Sequence, residues 1–331
     1  MRVLVLGGTR FMGPHIVRAL VARGHELTVF HRGESEAELP EEVRHVHADL
    51  AEFERHVGDL RSLAPEVVLD MLALRREDAR RVLAFTGVAE RAVVASSGDV
   101  YRAYGRMTRT EPGLPDPLPL TEDSPLRERL SQDGLDYDKT GVEAELRAQV
   151  ELPVTILRLP AVHGPGDRPH RLYPYVKRMD DGRPAIVLDE SLAGFRWVRG
   201  YVEDVAHAIV LAVSDPRAAG RTYNVAYPVA HTEADWVGEI GRVVGWTGEV
   251  VALPAAQLPE GLRRDRFDYR QDFVVDSSRI RAELGYAEQV EFDEALRRTV
   301  AWERANPPDE LRPEDYDYGA EDAALAARAL S

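Results

Sequence analysis

Seven residues near the N-terminus, Gly7-Gly8-Thr9-Arg10-Phe11-Met12-Gly13, have the types and spacing to hold a phosphate. They fall between a short apolar run, residues 2–6, and a stretch in which Phe11, Ile16, Val17, Leu20 and Val21 recur with helical period. That context predicts strand, tight turn and helix. Glycine at 7 permits the turn, and glycine at 13 lets helix and strand pack closely. The helix N-terminus then offers unpaired N–H groups and the positive end of its dipole to a diphosphate. The middle glycine of the usual dinucleotide spacing is absent, and Arg10 stands in its place. A dinucleotide site also needs a group at the end of the second strand, about 20 residues on. A carboxylate there would take the ribose hydroxyls of NAD, but the chain reads Phe30-His31-Arg32-Gly33. Arg32, with Arg10 reaching from the first loop, suits a 2′-phosphate through charge-assisted bonds, so NADP is the expected cofactor and NAD the alternative. Asp49 and Leu50 follow the third strand, where they could meet the adenine edge and face; Asp49 is equally suited to cap a helix.

The elements that must position these groups alternate. Strands are expected at 2–6, 26–30, 43–47, 67–71 and 91–96, with helical stretches at 51–64 and 76–88 between them. This is the pattern of a parallel sheet covered on both faces by right-handed crossovers. Residues 102–134 lose all period and read as one long loop, of the length usually kept for function. A helix is expected at 137–150 and a strand at 153–159. The stretch 160–195 is rich in Pro and Gly, with one helical piece near 171–181. Then come a strand running into a helix over 199–213, a short strand at 221–226 and an amphipathic helix at 232–245. Short strands near 249–253 and 273–276 and helices near 277–284 and 292–304 complete the pattern. The organisation expected is an α/β Rossmann domain over 1–164, rejoined by 200–228, and a smaller α/β substrate domain over 165–306. An acidic, Ala-rich extension over 307–331 is expected to be loosely attached.

Composition narrows the function. The chain has 331 residues and a net charge of -15, with 44% hydrophobic and 30% charged residues. That is a globular composition, and its acidity argues against a nucleic-acid partner, which would require a basic face. The absence of cysteine excludes disulfides, thiolate metal sites and cysteine nucleophiles. No His/Asp/Glu cluster has metal-ligand spacing, so no metal is expected. No apolar run approaches a membrane span, and the N-terminus lacks signal-peptide features, so a cytoplasmic protein is expected. Only two of the 42 basic residues are lysines, Lys139 and Lys177. A position that keeps lysine against such a bias suits a compact ammonium group.

Further segments carry a resemblance. Ser96-Ser97-Gly98-Asp99-Val100-Tyr101, Leu157-Arg158-Leu159-Pro160-Ala161-Val162-His163-Gly164-Pro165, Tyr201-Val202-Glu203-Asp204-Val205-Ala206, and Arg270-Gln271-Asp272 with Asp276-Ser277-Ser278-Arg279 follow the glycine turn in order. Together they resemble the extended short-chain dehydrogenase/reductase family, the NAD-dependent epimerase/dehydratase group, in an atypical branch and over residues 1–306. The resemblance implies hydride transfer at nicotinamide, on a nucleotide sugar or a related hydroxyl or carbonyl compound. It implies Ser97 as the group that orients the substrate oxygen, and Lys139 as the group that holds the nicotinamide ribose and lowers the phenol pKa of a catalytic tyrosine. It adds Pro160 to the cofactor contacts. It makes Asp99, His163, Arg196, Arg199 and Arg270 candidates for substrate binding, and it leaves a homodimer open. The family's tyrosine lies four residues before the lysine, where this chain has Leu135. Tyr137 is two residues before, which on a regular helix turns it about 200° away. Tyr137 serves only if the helix starts near it after an irregular turn; otherwise the fold is a non-catalytic NADP-binding sensor or scaffold. A nucleic-acid-binding role, known from relatives of this branch, conflicts with the acidic balance.

Overall fold

A computed structural model describes residues 1–34, 39–130, 137–263 and 267–328. Its first half runs β1 (Arg2–Leu6), α1 (Met12–Ala22), β2 (Glu26–His31), β3 (Arg44–His47), α2 (Phe53–Ser62), β4 (Val67–Asp70), α3 (Ala79–Leu83), β5 (Arg91–Ser97), α4 (Arg102–Met107), α5 (Lys139–Arg147), β6 (Val154–Leu159) and β7 (Ala161–His163). It continues through α6 (Tyr173–Asp180), β8 (Ala185–Asp189), α7 (Glu190–Ala193), β9 (Arg199–Tyr201), α8 (Val202–Ser214), β10 (Thr222–Asn224), α9 (Glu233–Val244), β11 (Glu249–Leu253), α10 (Ser278–Leu284), α11 (Phe292–Ala305) and α12 (Tyr318–Arg328).

Seven strands form one parallel sheet in the order β10-β6-β5-β4-β1-β2-β3, a Rossmann-type arrangement. The central strands are apolar in succession because both faces are covered. Val3 and Val5 pack with Ile16, Val17 and Leu20 of α1 and with Val205 and Ile209 of α8. Leu4 and Leu6 face the other side, against Phe53 and Leu60 of α2 and Val142 and Leu146 of α5. The register sets Leu6 beside Phe30 and Asp70, and Ser97 beside Leu159, so the segments that follow these strands open along one edge. A second core joins α6, β8, α9 and α11 through Val176, Ile186, Trp236, Ile240, Leu296 and Val300. There β8 pairs with β11, and β7 pairs with β9, both in parallel.

Several expectations change. The helix foreseen over 76–88 shortens to a 3-10 turn, Arg76–Asp78, followed by α3. The loop foreseen from 102 begins with α4. β8 lies inside the Pro/Gly-rich stretch and has an apolar run too short to show a period. Residues 273–276 contribute only isolated bridges, Trp197 to Phe273 and Leu120 to Val275. The tail is docked rather than loose. Glu321 of α12, 1% exposed, accepts from Arg178 Nε at 3.1 Å and Nη2 at 2.6 Å, and Arg178 also donates to the Asp315 carbonyl at 2.6 Å. Ala324 joins Val187, Val251 and Leu258 in a small apolar cluster.

Removing one partner of a buried pair strands the other charge, so Glu321→Ala should cost about 3 kcal/mol in urea unfolding. A loss below about 0.5 kcal/mol, the range of ordinary surface substitutions, would show that the tail does not depend on this pair. Asp204 gives a pH prediction. It is fully buried, its Oδ1 accepts from the Gln289 and Val290 amides at 2.6 and 3.2 Å, and burial pushes its carboxyl up to about 6. A folded pKa above the unfolded value of about 3.9 means that its stabilising contribution is complete in acid and is lost as pH rises to about 6. Asp204→Asn keeps the acceptor without the charge. Melting curves should show wild type losing Tm relative to this variant between pH 4 and 6, and a pH-independent difference would refute the assignment.

Candidate active site

The glycine turn is built by a close approach of backbones. A Cβ on Gly13 would lie 2.4 Å from the Gly8 carbonyl carbon, so no side chain fits there. Gly7 sits at φ 98° and donates its N–H to the Phe30 carbonyl at 3.0 Å, which ties the turn to β2. Phe11, at φ 52°, precedes α1 without capping it through its side chain, and the first turn of α1 holds no acidic residue. Beside this turn lies a cleft of about 490 Å³. Gly7, Thr9, Arg10, Met12, Arg32, Asp49 and Leu50 line it, as do Phe30, His31, Glu34 and Leu72, which the sequence did not single out. Gly13 lies buried beneath the turn, Phe11 packs toward Gly166, and Pro160 sits at the end of β6 against Gly200. The cleft, the uncapped helix start and the Gly13 contact fit the diphosphate and adenosine of a dinucleotide. Asp49 accepts from the Ala51 amide at 2.8 Å and so caps the turn after β3 while it also lines the cleft. Glu34 lies 3.1 Å from Arg32 and 3.9 Å from Arg10, so the two arginines meet one carboxylate at the ribose end.

Ser97, Asp99, Tyr137 and Lys139 converge at the end of β5. Helix α5 begins only at Lys139, with Asp138 capping it through the Gly141 amide at 2.8 Å. Tyr137 therefore precedes the helix, and helical spacing does not govern its direction. Its hydroxyl donates to Asp99 Oδ2 and also interacts with Ser97. Leu135 lies outside the described residues. Lys139 is 8% exposed, and its Nζ donates to the Ala95 carbonyl at 2.8 Å. Burial pushes its pKa down, against the pull of Asp99, Asp70 and Glu143. The phenol corrects one expectation. Burial drives the Tyr137 pKa well above the usual range and the Asp99 carboxylate adds to the rise, so the hydroxyl holds its proton and is not acidified by the lysine. Burial likewise raises Asp99. The helix is anchored from below: Glu143 accepts from Ser96 at 2.7 Å and from Arg158 Nε and Nη2 at 3.1 and 2.7 Å, with both members of the pair 1% exposed.

Three of the expected substrate groups are engaged elsewhere. His163 is 1% exposed and its ring nitrogens meet Thr299 and Tyr227 at 3.1 and 3.2 Å; burial lowers its pKa to about 3, so it is a neutral core residue rather than an acid or base. Arg199 is paired with Glu233 and lies 4.5 Å over the Trp236 ring. Arg270 is spent on Asp268, with Nε to Oδ1 at 2.8 Å. Arg196 is exposed, with its backbone N–H on Asp272 at 2.9 Å. The residue the sequence missed is Arg127. It is 3% exposed, its three guanidinium nitrogens have no hydrogen-bond partner among the described residues, and its charge acts on both Asp99 and Tyr137. It sits in the long loop, held by its N–H to the Val100 carbonyl at 2.9 Å, and no spacing rule marks it. The expectation of no metal-ligand cluster also changes, because strand pairing gathers His31, His45 and His47.

Comparison with known proteins agrees with this geometry. The chain is 29% identical over 276 residues to 2'-dehydrokanamycin reductase of Streptomyces kanamyceticus, covering 81% of this chain and 73% of that protein. It is 31% identical over 277 residues to a 3-diazoavenalumate denitrifying reductase of Streptomyces sp, covering 78% and 86%. The structure of Thermus thermophilus UDP-glucose 4-epimerase in complex with NAD superposes with a TM-score of 0.67 at 25% identity, over 92% of this chain and 99% of that one. The model of the NAD dependent epimerase/dehydratase family matches residues 3–226. With the Rossmann sheet, the glycine turn and the Ser97, Tyr137 and Lys139 cluster in view, the chain belongs to the NAD dependent epimerase/dehydratase family, as an oxidoreductase or epimerase of the short-chain dehydrogenase/reductase type.

Proposed function

We propose that this protein is an NADP-preferring enzyme that interconverts a hydroxyl and a carbonyl on a nucleotide sugar or related sugar ketone. The observation that carries the reading is the meeting of Ser97, Asp99, Tyr137 and Lys139 at the end of β5, reached by a tyrosine that the helix does not constrain. When bound, the nicotinamide supplies or takes the hydride. Gly7, Thr9, Arg10, Met12 and the start of α1 would hold its diphosphate, Asp49 and Leu50 the adenine, and Lys139 and Pro160 the nicotinamide end. Ser97 orients the substrate oxygen. Tyr137, protonated at neutral pH, donates its proton to the carbonyl oxygen as that oxygen gains charge, and in the opposite direction it takes the hydroxyl proton while passing its own to Asp99. Asp99 is the second station for that proton, through its contact with the Tyr137 hydroxyl. Arg127 supplies the positive charge that a buried site otherwise lacks a reason to keep. An unpaired buried cation is costly, and a substrate oxygen carrying negative charge next to the reacting carbon relieves it.

The preference for NADP rests on Arg10 and Arg32 together outweighing the single carboxylate of Glu34. The reductases among the relatives favour the carbonyl-reducing direction, and no observation on the described residues favours a scaffold without catalysis.

The reading is tested with a panel of nucleoside-diphosphate sugars and sugar ketones, following oxidation of the reduced cofactor. Tyr137→Phe and Ser97→Ala should each lower kcat by about 10²-fold or more while cofactor affinity stays near wild type. Activity undiminished in both variants would refute the assignment. Arg127→Gln should lower kcat/KM by about 10²-fold, from loss of a charge-assisted contact worth about 2–3 kcal/mol, with the cofactor Kd unchanged. For the cofactor, calorimetry should show NADP bound more tightly than NAD. Arg32→Ala should weaken NADP by about 10-fold and leave NAD unaffected. Tighter binding of NAD by the wild type would overturn the preference.

A further inference from the structure

The edge of the sheet beside the cleft, which His31 also lines, gathers three imidazoles. β2 and β3 run in parallel with His31 opposite His47, so both side chains leave the same face. His45, two residues before His47, shares that face. One potential ligand nitrogen from each of the three lies within 4.8 Å of the others. His31 Nε2 and His45 Nδ1 are 2.8 Å apart, and the His31 and His47 rings meet edge to face at 4.6 Å between centroids. His31 is buried and fixed at the end of β2, whereas His45 and His47 are exposed.

We propose that His31, His45 and His47 form a binding site for one divalent transition-metal ion of the zinc or nickel class. Neutral imidazole is the ligand type these ions take most readily. Three nitrogens on one ion, each at about 2.0–2.1 Å, need to stand about 3.3 Å apart in tetrahedral geometry. The present spread is wider, but the closest pair, His31 Nε2 and His45 Nδ1, is already inside that distance, and the exposed His47 ring must turn toward it to complete the set. Parallel register supplies the preorganisation: a one-residue slip of β3 would send His45 and His47 to the opposite face and dissolve the site. Ligation through His31 Nε2 moves its proton to Nδ1, so the 3.2 Å contact from the Gly33 amide is given up on loading. Three protein ligands leave the fourth position open to water or to an anionic oxygen, as in zinc sites that keep an exchangeable ligand. The proposal does not rest on the catalytic reading, and its failure would leave that reading untouched.

The test is calorimetry of the full chain, stripped with chelator, against zinc chloride and nickel chloride. Expected are one equivalent bound, a rise in Tm with zinc, and the visible absorption of tetrahedral cobalt(II) when cobalt replaces it. Because His45 and His47 are exposed, the variant His45→Ala with His47→Ala should fold with the metal-free Tm of wild type. It should bind zinc about 100-fold more weakly, or not at all, and lose the cobalt spectrum. His47→Ala alone should weaken binding by about 10-fold. Absence of binding by wild type at millimolar zinc would overturn the proposal. So would zinc affinity and a thermal shift in the double variant equal to those of wild type, which would place the ion elsewhere on the chain.

Discussion

A buried ion pair between Glu143 of α5 and Arg158 of β6 holds the site in place. Both side chains are 1% exposed, and Ser96 donates a third bond to the same carboxylate. The pair cannot be broken cheaply from one side, because the partner left behind would be an uncompensated charge in a medium of low dielectric. It also fixes distance: Glu143 lies one helical turn from Lys139, and Ser96 is the neighbour of Ser97. Clamping Glu143 to β5 and β6 therefore clamps the ammonium and the serine hydroxyl into one frame. Arg158 extends the frame by donating to the Glu122 carbonyl at 2.9 Å and by lying 4.7 Å over the Tyr101 ring. Tyr101, the last residue of the Ser96–Tyr101 segment, is thereby committed to structure, with its hydroxyl donating to Asn224 Oδ1 at 2.6 Å.

Within that frame the proton chemistry is set by burial more than by the lysine. Lys139 directs its Nζ at a backbone carbonyl, and the Tyr137 hydroxyl donates a hydrogen bond to Asp99. Arg127 and Lys139 both pull the Asp99 carboxyl down against its burial, and Asp99 pulls Lys139 up against its own. The Arg127 guanidinium and the Lys139 ammonium both lie close enough to Asp99 to act on its carboxyl. Such an arrangement is complementary to an oxygen that becomes negative during reaction.

The arginine-rich composition gives this imbalance its meaning. Elsewhere guanidinium groups are matched to acids: Arg178 to Glu321, Arg199 to Glu233, Arg270 to Asp268, Arg158 to Glu143. The same pairing engages Arg199 with Glu233 and Arg270 with Asp268, and ties the acidic tail to the body of the protein. Arg127 stands out because its guanidinium is buried and unmatched by a hydrogen bond.

The amino-acid sequence by itself determined the alternation of strand and helix, the glycine turn at 7–13 and the placing of Gly7, Thr9, Arg10, Met12, Arg32, Asp49 and Leu50 along the cleft beside it, because these depend on local period and on side chains a few positions apart. It also carried the identities of Ser97, Tyr137 and Lys139. It could not decide where Tyr137 points, since that depends on the helix starting at Lys139 rather than two residues earlier, a matter of one cap at Asp138. Arg127, Glu34 and the His31, His45 and His47 cluster were equally illegible. Arg127 meets Asp99 and Tyr137 through the packing of the long loop against residue 100, Glu34 meets Arg10 of the glycine turn as well as its neighbour Arg32, and the parallel register sets His31 beside His47. Burial made the remaining decisions. It turned His163 into a neutral core residue and left the Arg127 guanidinium without a hydrogen-bond partner among the described residues, because the cost of desolvating a group is a property of everything packed around it and not of its neighbours in the chain.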